Sequence, residues 1–81
     1  MKNKNDINKI IISTTSIVIE FKDGIIGEET FAEYPRLNNA TTEERTDYRL
    51  SYFGIHWPKL DEDLSFEGFY KKAKILIPNS F

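Results

Sequence analysis

Apolar and polar residues alternate along the chain in short runs separated by turn-forming residues. Residues 16–21 place Ile17, Ile19 and Phe21 on one face and Val18 and Glu20 on the other, which is the period of a half-buried strand. The β-branched cluster at residues 7–13 predicts a strand before it, with Thr14 and Thr15 as a short break. Lys22-Asp23-Gly24 then interrupts the pattern. Asp-Gly between two apolar runs predicts a hairpin in which both turn positions take positive φ. The return strand covers residues 25–31, with Gly27 weakening its middle.

Tyr34-Pro35-Arg36 predicts an extended or turning backbone, because the residue before proline avoids the helical region. "NNATTEERTDY" reads as a loop entering a short helix, with Thr41 as cap and Glu44 completing the capping-box spacing. Glu43 and Glu44 also stand where the helix dipole favours negative charge. Alternation resumes over residues 48–53, Gly54 turns the chain, residues 55–57 return as a strand and Pro58 ends it. Ser65 opens a last helix, with Phe66, Phe69, Tyr70 and Ala73 on one face and Lys71, Lys72 and Lys74 near its C-terminal end. The run Ile75-Leu76-Ile77 is expected as a final strand or a packed tail, stopped by Pro78. The predicted fold is α+β, a small antiparallel sheet of about five strands with two short helices. Residues 1–6 are expected as a disordered N-terminal tail and residues 7–81 as a single small α+β domain.

Size and charge narrow the function. The 81 residues suffice for one domain, and a domain this small buries only roughly 60% of the surface its unfolded chain exposes. The absence of cysteine excludes disulfides and thiolate metal sites and fits a reducing compartment. Ile10-Ile11-Ile12 is too short for a membrane span or a secretory core, so the expected location is cytoplasmic, with no membrane partner. A formal net charge of −2, with the only basic clusters at the N-terminus and at residues 71–74, argues against nucleic acid as the main partner.

The stretch "GIHWPKLDED" carries the richest chemistry, with the chain's only histidine and only tryptophan. Nucleophilic catalysis needs a nucleophile held against an oriented base. No cysteine is present, no serine sits in a nucleophile elbow, and His56 is the lone imidazole, so no enzyme is expected. His56 with Asp61, Glu62 and Asp63 supplies hard ligands for a divalent ion, but without the alternating acids, central glycine and distal Glu of a calcium loop. The favoured reading puts the three acids just ahead of a helix start, where they meet free N–H groups. Strand parity pairs Ile55 with Trp57 on the core side. Trp57 is then a core anchor with its indole N–H satisfied nearby, and His56 faces outward or bonds to the acidic segment. For Tyr34 and Arg36 two readings stand side by side. Aromatic plus Arg on a loop is the composition of a binding hot spot; alternatively Tyr34 packs under the hairpin while Arg36 pairs with Asp61 or Asp63.

"VIEFKDG", "YPRLNNATTEER" and "GIHWPKLDEDLSFEG", in that order, resemble the domain-of-unknown-function family numbered 2442, over roughly residues 18–68. Relatives share the Asp-Gly hairpin, the Tyr-Pro-Arg-Leu segment, Ala-Thr-x-Glu-x-Arg and Gly-Ile-His-Trp-Pro. Gly27 and Glu29 stand where relatives carry apolar strand residues, and Thr42 replaces a common proline. The connection at residues 51–53 is shorter than in typical relatives, which implies a tight hairpin before Gly54. The resemblance implies an α+β fold, a small bacterial protein and no established activity. Some relatives are joined to a helix-turn-helix domain, for which this chain has no room. Others are encoded beside a second small protein in an arrangement like a toxin–antitoxin pair.

The leading expectation is a non-catalytic protein-interaction module without a cofactor, the antitoxin-like member of such a pair. Its partner would be a small protein encoded nearby, and its candidate surface Tyr34, Arg36, His56, Asp61, Glu62 and Asp63. The alternative is a small-ligand or divalent-metal domain using His56 and the Asp61–Asp63 segment. A third reading is self-association through a strand edge near Gly27 and Glu29. Oligomeric state does not follow from the sequence.

Overall fold

Alternation in the first third produces the first sheet. In the computed structural model, which describes residues 1–76, β1 (Ile7–Ile12), β2 (Ser16–Phe21) and β3 (Ile26–Thr30) pair antiparallel with β2 in the middle. The hairpin joining β2 to β3 differs from the expected two-residue turn. Phe21 donates its N–H to the Ile25 carbonyl and accepts from Gly24 N–H, so residues 22–24 form the connection. Only Gly24 takes positive φ, at 94°, and the Asp23 carboxylate accepts the Ile25 N–H at 3.0 Å. Asp-Gly thus marks the hairpin as the end of a three-residue loop closed by a left-handed glycine.

A second sheet follows, made of β4 (Arg49–Leu50), β5 (Gly54–Trp57) and β6 (Glu62–Ser65) with β5 in the middle. The expected single sheet of about five strands is therefore two three-stranded antiparallel sheets. The reason lies between them. After β3 the chain makes a 3₁₀ turn at Phe31–Glu33, then α1 (Pro35–Asn38) and α2 (Thr42–Thr46), before it returns to extended backbone. Tyr34 is extended as expected, but Pro35 opens a helical turn, where its missing N–H costs nothing. Thr41 and Glu44 close the predicted capping box on α2.

With α3 (Phe66–Leu76), the described residues hold three α-helices rather than two. Ile75 and Leu76 belong to it, not to a final strand, whereas Ile77 and Pro78 lie outside the described residues. Ser65 ends β6 and caps α3, its Oγ accepting the Gly68 N–H at 3.0 Å. Residues 1–6, expected as a disordered tail, include a capped 3₁₀ turn at Lys4–Asp6. The Lys2 N–H reaches Glu67 at 2.7 Å, and Lys4 N–H reaches the Tyr52 carbonyl at 2.8 Å.

One core joins these pieces. Ile17, Ile19 and Phe21 of β2 meet Ile55 and Trp57 of β5, Phe66 and Phe69 of α3, and Phe31 and Leu37. Strand parity therefore reads Ile55 and Trp57 correctly. α3 packs on the inner face of β3, which explains Gly27 and Glu29 there. A Cβ at Gly27 would lie 2.5 Å from the Phe69 carbonyl oxygen, so glycine lets helix and strand touch. Glu29 is 6% exposed and is neutralised by Lys72 of α3 at 2.8 Å. Gly27 and Glu29 thus mark a helix–sheet contact.

Gly27→Ala is expected to cost about 1–3 kcal/mol, since backbone and not a pliable side chain must yield. Glu28→Ala, on the exposed face next to it, should stay within about 0.5 kcal/mol. Urea denaturation of the two variants checks both values.

Candidate functional site

The structure distributes the six sequence-predicted surface residues over three places. Arg36 of α1 donates from Nη1 to the backbone carbonyl of Asp61 at 2.7 Å, rather than to an acidic side chain. Asp61 occupies the β5–β6 turn with a left-handed φ of 54°. That corrects its expected position ahead of a helix, and Glu62 and Asp63 likewise belong to β6. The spacing to Ser65 misled because Asp61 reverses the chain and four strand residues intervene before the helix. His56 pairs with Asp63 across the sheet, Nδ1 to Oδ1 at 2.6 Å. Glu62 accepts the Asp63 N–H at 3.1 Å. Among the described residues no hydroxyl hydrogen-bonds the imidazole, and no three His, Asp or Glu side chains gather to hold a metal ion.

Tyr34 goes elsewhere. It is half-buried beside Glu29, and burial first, then the Glu29 charge, pushes its hydroxyl up to about 12. The same cluster holds Lys72, whose Nζ donates to Glu29 at 2.8 Å and Glu33 at 2.9 Å. These bonds raise the Lys72 ammonium above its ordinary range, and the Lys72 bond holds the Glu33 carboxyl below its own. Tyr34 thereby helps fasten α3 to β3 and the turn after it. The sequence signal for this cluster was the pair of unexpected residues on β3.

Arg45 escaped the sequence reading. It lies in the last turn of a polar helix, yet its guanidinium caps three backbone carbonyls: Leu37 from Nε at 2.8 Å, Asn38 from Nη2 at 3.0 Å and Thr14 from Nη1 at 3.2 Å. The same guanidinium stacks 4.3 Å from the Phe31 ring centroid. Its own carbonyl accepts the Trp57 indole N–H at 2.8 Å. The terminal Arg of "ATTEER" was the available clue.

The largest apolar exposure in the second sheet was also missed. Leu50, Tyr52 and Phe53 surround the β4–β5 hairpin and are 51%, 47% and 50% exposed. The hairpin is tight as expected, with Ser51 N–H on the Gly54 carbonyl at 2.9 Å. Backbone bonds clamp its tip on both sides: the Tyr52 carbonyl accepts from Lys4, and the Phe53 carbonyl accepts from Phe66 at 2.9 Å. The two rings meet edge to face at 4.8 Å. Phe53 and Asp63 line one shallow cleft of about 200 Å³ with Gly54 and Ser65. On the other side of β4, a groove of about 330 Å³ separates Tyr48 and Leu50 from Lys4, Ile7 and Ile10.

Fold and surface together define a small α+β domain of two three-stranded antiparallel sheets, with its aromatic hairpin tip exposed. A family model described as "Protein of unknown function (DUF2442)" matches residues 8–74, and the chain belongs to that family. No curated protein and no solved structure matches it. No helix among the described residues is long and apolar enough to cross a membrane.

Arg45→Met is expected to cost about 2–3 kcal/mol, because three carbonyls lose a charged donor. Arg45→Lys should recover less than half of that, since an ammonium cannot reproduce the fork. Chemical denaturation distinguishes the two. A further outcome concerns alkaline pH. The folded state keeps the Tyr34 proton up to about 12 whereas an unfolded tyrosine releases it near about 10, so stability is intact below that window and falls as pH rises through it. Thermal midpoints across the alkaline range should fall less steeply for Tyr34→Phe than for the wild type.

Proposed function

We propose that the domain is a non-catalytic interaction module that binds a second small protein. The family resemblance favours an antitoxin-like role within a two-protein pair. The observation carrying this reading is the hairpin tip, where Tyr52 and Phe53 are half exposed while their backbone carbonyls are pinned by Lys4 and Phe66. Aromatic side chains held in place before binding lose little entropy on contact, which is what a hot spot requires. The row Arg49, His56 and Asp63, adjacent by register across the second sheet, gives the tip a polar flank. Arg36, Asp61 and Glu62 extend that flank around the β5–β6 turn, and Tyr34 serves it indirectly by fixing the charged cluster under α3. This is the aromatic centre and polar rim of an ordinary protein interface.

Co-purification of the tagged full chain from its native host is expected to yield one stoichiometric partner. The Tyr52→Ala, Phe53→Ala double variant should lose that partner while keeping the wild-type melting temperature, because the clamping bonds use backbone atoms. Repeated recovery of the lone protein, or a double variant that retains the partner, overturns the reading.

A further inference from the structure

The hydrogen-bond phase of the first hairpin identifies which backbone groups of β1 are unpaired. Ser13 N–H donates to the Ser16 carbonyl, so Ser13–Ser16 is a hydrogen-bonded pair, and antiparallel alternation makes Ile11–Val18 and Lys9–Glu20 the next two. Ile10 and Ile12, opposite Ile19 and Ile17, are the non-bonded pairs. Their N–H and C=O groups therefore point away from β2, and no backbone group of another described element reaches them. The second sheet repeats the pattern. Ser51–Gly54 is bonded, so Leu50 is in a non-bonded pair with Ile55 and turns its backbone outward from β5.

These two open edges face each other across the groove lined by Lys4, Ile7, Lys9, Ile10, Tyr48 and Leu50. One backbone bond, from Lys4 N–H in the turn before β1 to the Tyr52 carbonyl at the hairpin tip, already spans from one side to the other. We propose that the groove takes an extended segment of a partner protein, added as a strand on the free edge of β1, with alternating apolar and acidic side chains. The inference rests on the interaction reading above and names the binding mode.

The pattern follows from which residues line each side. Ile7, Ile10, Tyr48 and Leu50 stand on the core side of their sheets, so inward side chains of the added strand meet an apolar floor. Lys9 and Arg49 stand on the opposite side by register, and Lys4 closes the end. Among the described residues, none of these three cations makes an ion pair. Outward side chains of the added strand therefore meet unpaired positive charge. The same features discriminate against a second copy of β1. A second β1 offers Lys9 and no acid to these cations, and the register shift between Ile7 and Lys9 bends the edge away from a straight mate.

The test pans a displayed library of short random peptides on the full chain. Enriched peptides are expected to alternate apolar and acidic residues, to shift the amide resonances of Ile10, Ile12 and Leu50, and to slow their hydrogen exchange. Methylating alternate peptide nitrogens should weaken binding about tenfold, because main-chain bonds carry it. The Lys4→Gln, Lys9→Gln double variant should weaken it about fivefold, the size expected of two exposed charge contacts. No enrichment, enrichment without alternation, or shifts confined to Tyr52 and Phe53 overturns the proposal. So does concentration-dependent self-association that protects Ile10 and Ile12 without peptide. The co-purified partner separates the two readings. Loss of it with the Tyr52/Phe53 variant but not with Lys4→Gln, Lys9→Gln removes strand addition and leaves the interaction module standing.

Discussion

Arg45 is where the two halves of the molecule are tied. Neither sheet has more than three strands, and among the described residues no backbone bond links β1 to β4. What lies between them is a chain of short helical turns with little apolar surface of its own. One guanidinium satisfies carbonyls at the end of α1 and in the β1–β2 connection, while its parent residue's carbonyl holds Trp57 of the second sheet. Buried polar groups need partners, and here one residue partners both sheets. The fork geometry matters more than the charge, because three carbonyls approach it from separate segments.

A second tie of the same kind runs through α3. Lys72 neutralises a nearly buried Glu29 while Gly27 lets the Phe69 backbone lie against β3. Carboxylate, ammonium and missing side chain make one device, since close approach would be impossible with a Cβ and unfavourable with an unpaired charge.

Local pattern was legible wherever a strand is half buried. Ile17, Ile19, Phe21, Ile55 and Trp57 declare their faces through alternation, and Thr41 with Glu44 declares a helix start. What did not show in the sequence were relations between segments. Nothing in "TEERTDY" says that Arg45 reaches three other stretches, and nothing in "SYFG" says that both aromatic carbonyls are pinned from outside. The acids of "DED" were misplaced for a related reason. A left-handed Asp61 turns the chain within a run that otherwise looks like a helix prelude. Of the six expected surface residues, His56 and Asp63 do pair on the outward side, Arg36 meets a carbonyl, and Tyr34 belongs to the helix clamp.

Trp57 carries one further consequence. It is the only tryptophan of the chain, fully enclosed, and its N–H is bonded to the residue that ties the sheets. The molecule therefore contains a single tryptophan fluorophore, placed at its structural junction. Its emission reads whether Arg45 holds both halves together, so a loosening of the junction that leaves each hairpin intact would still be visible without any added label.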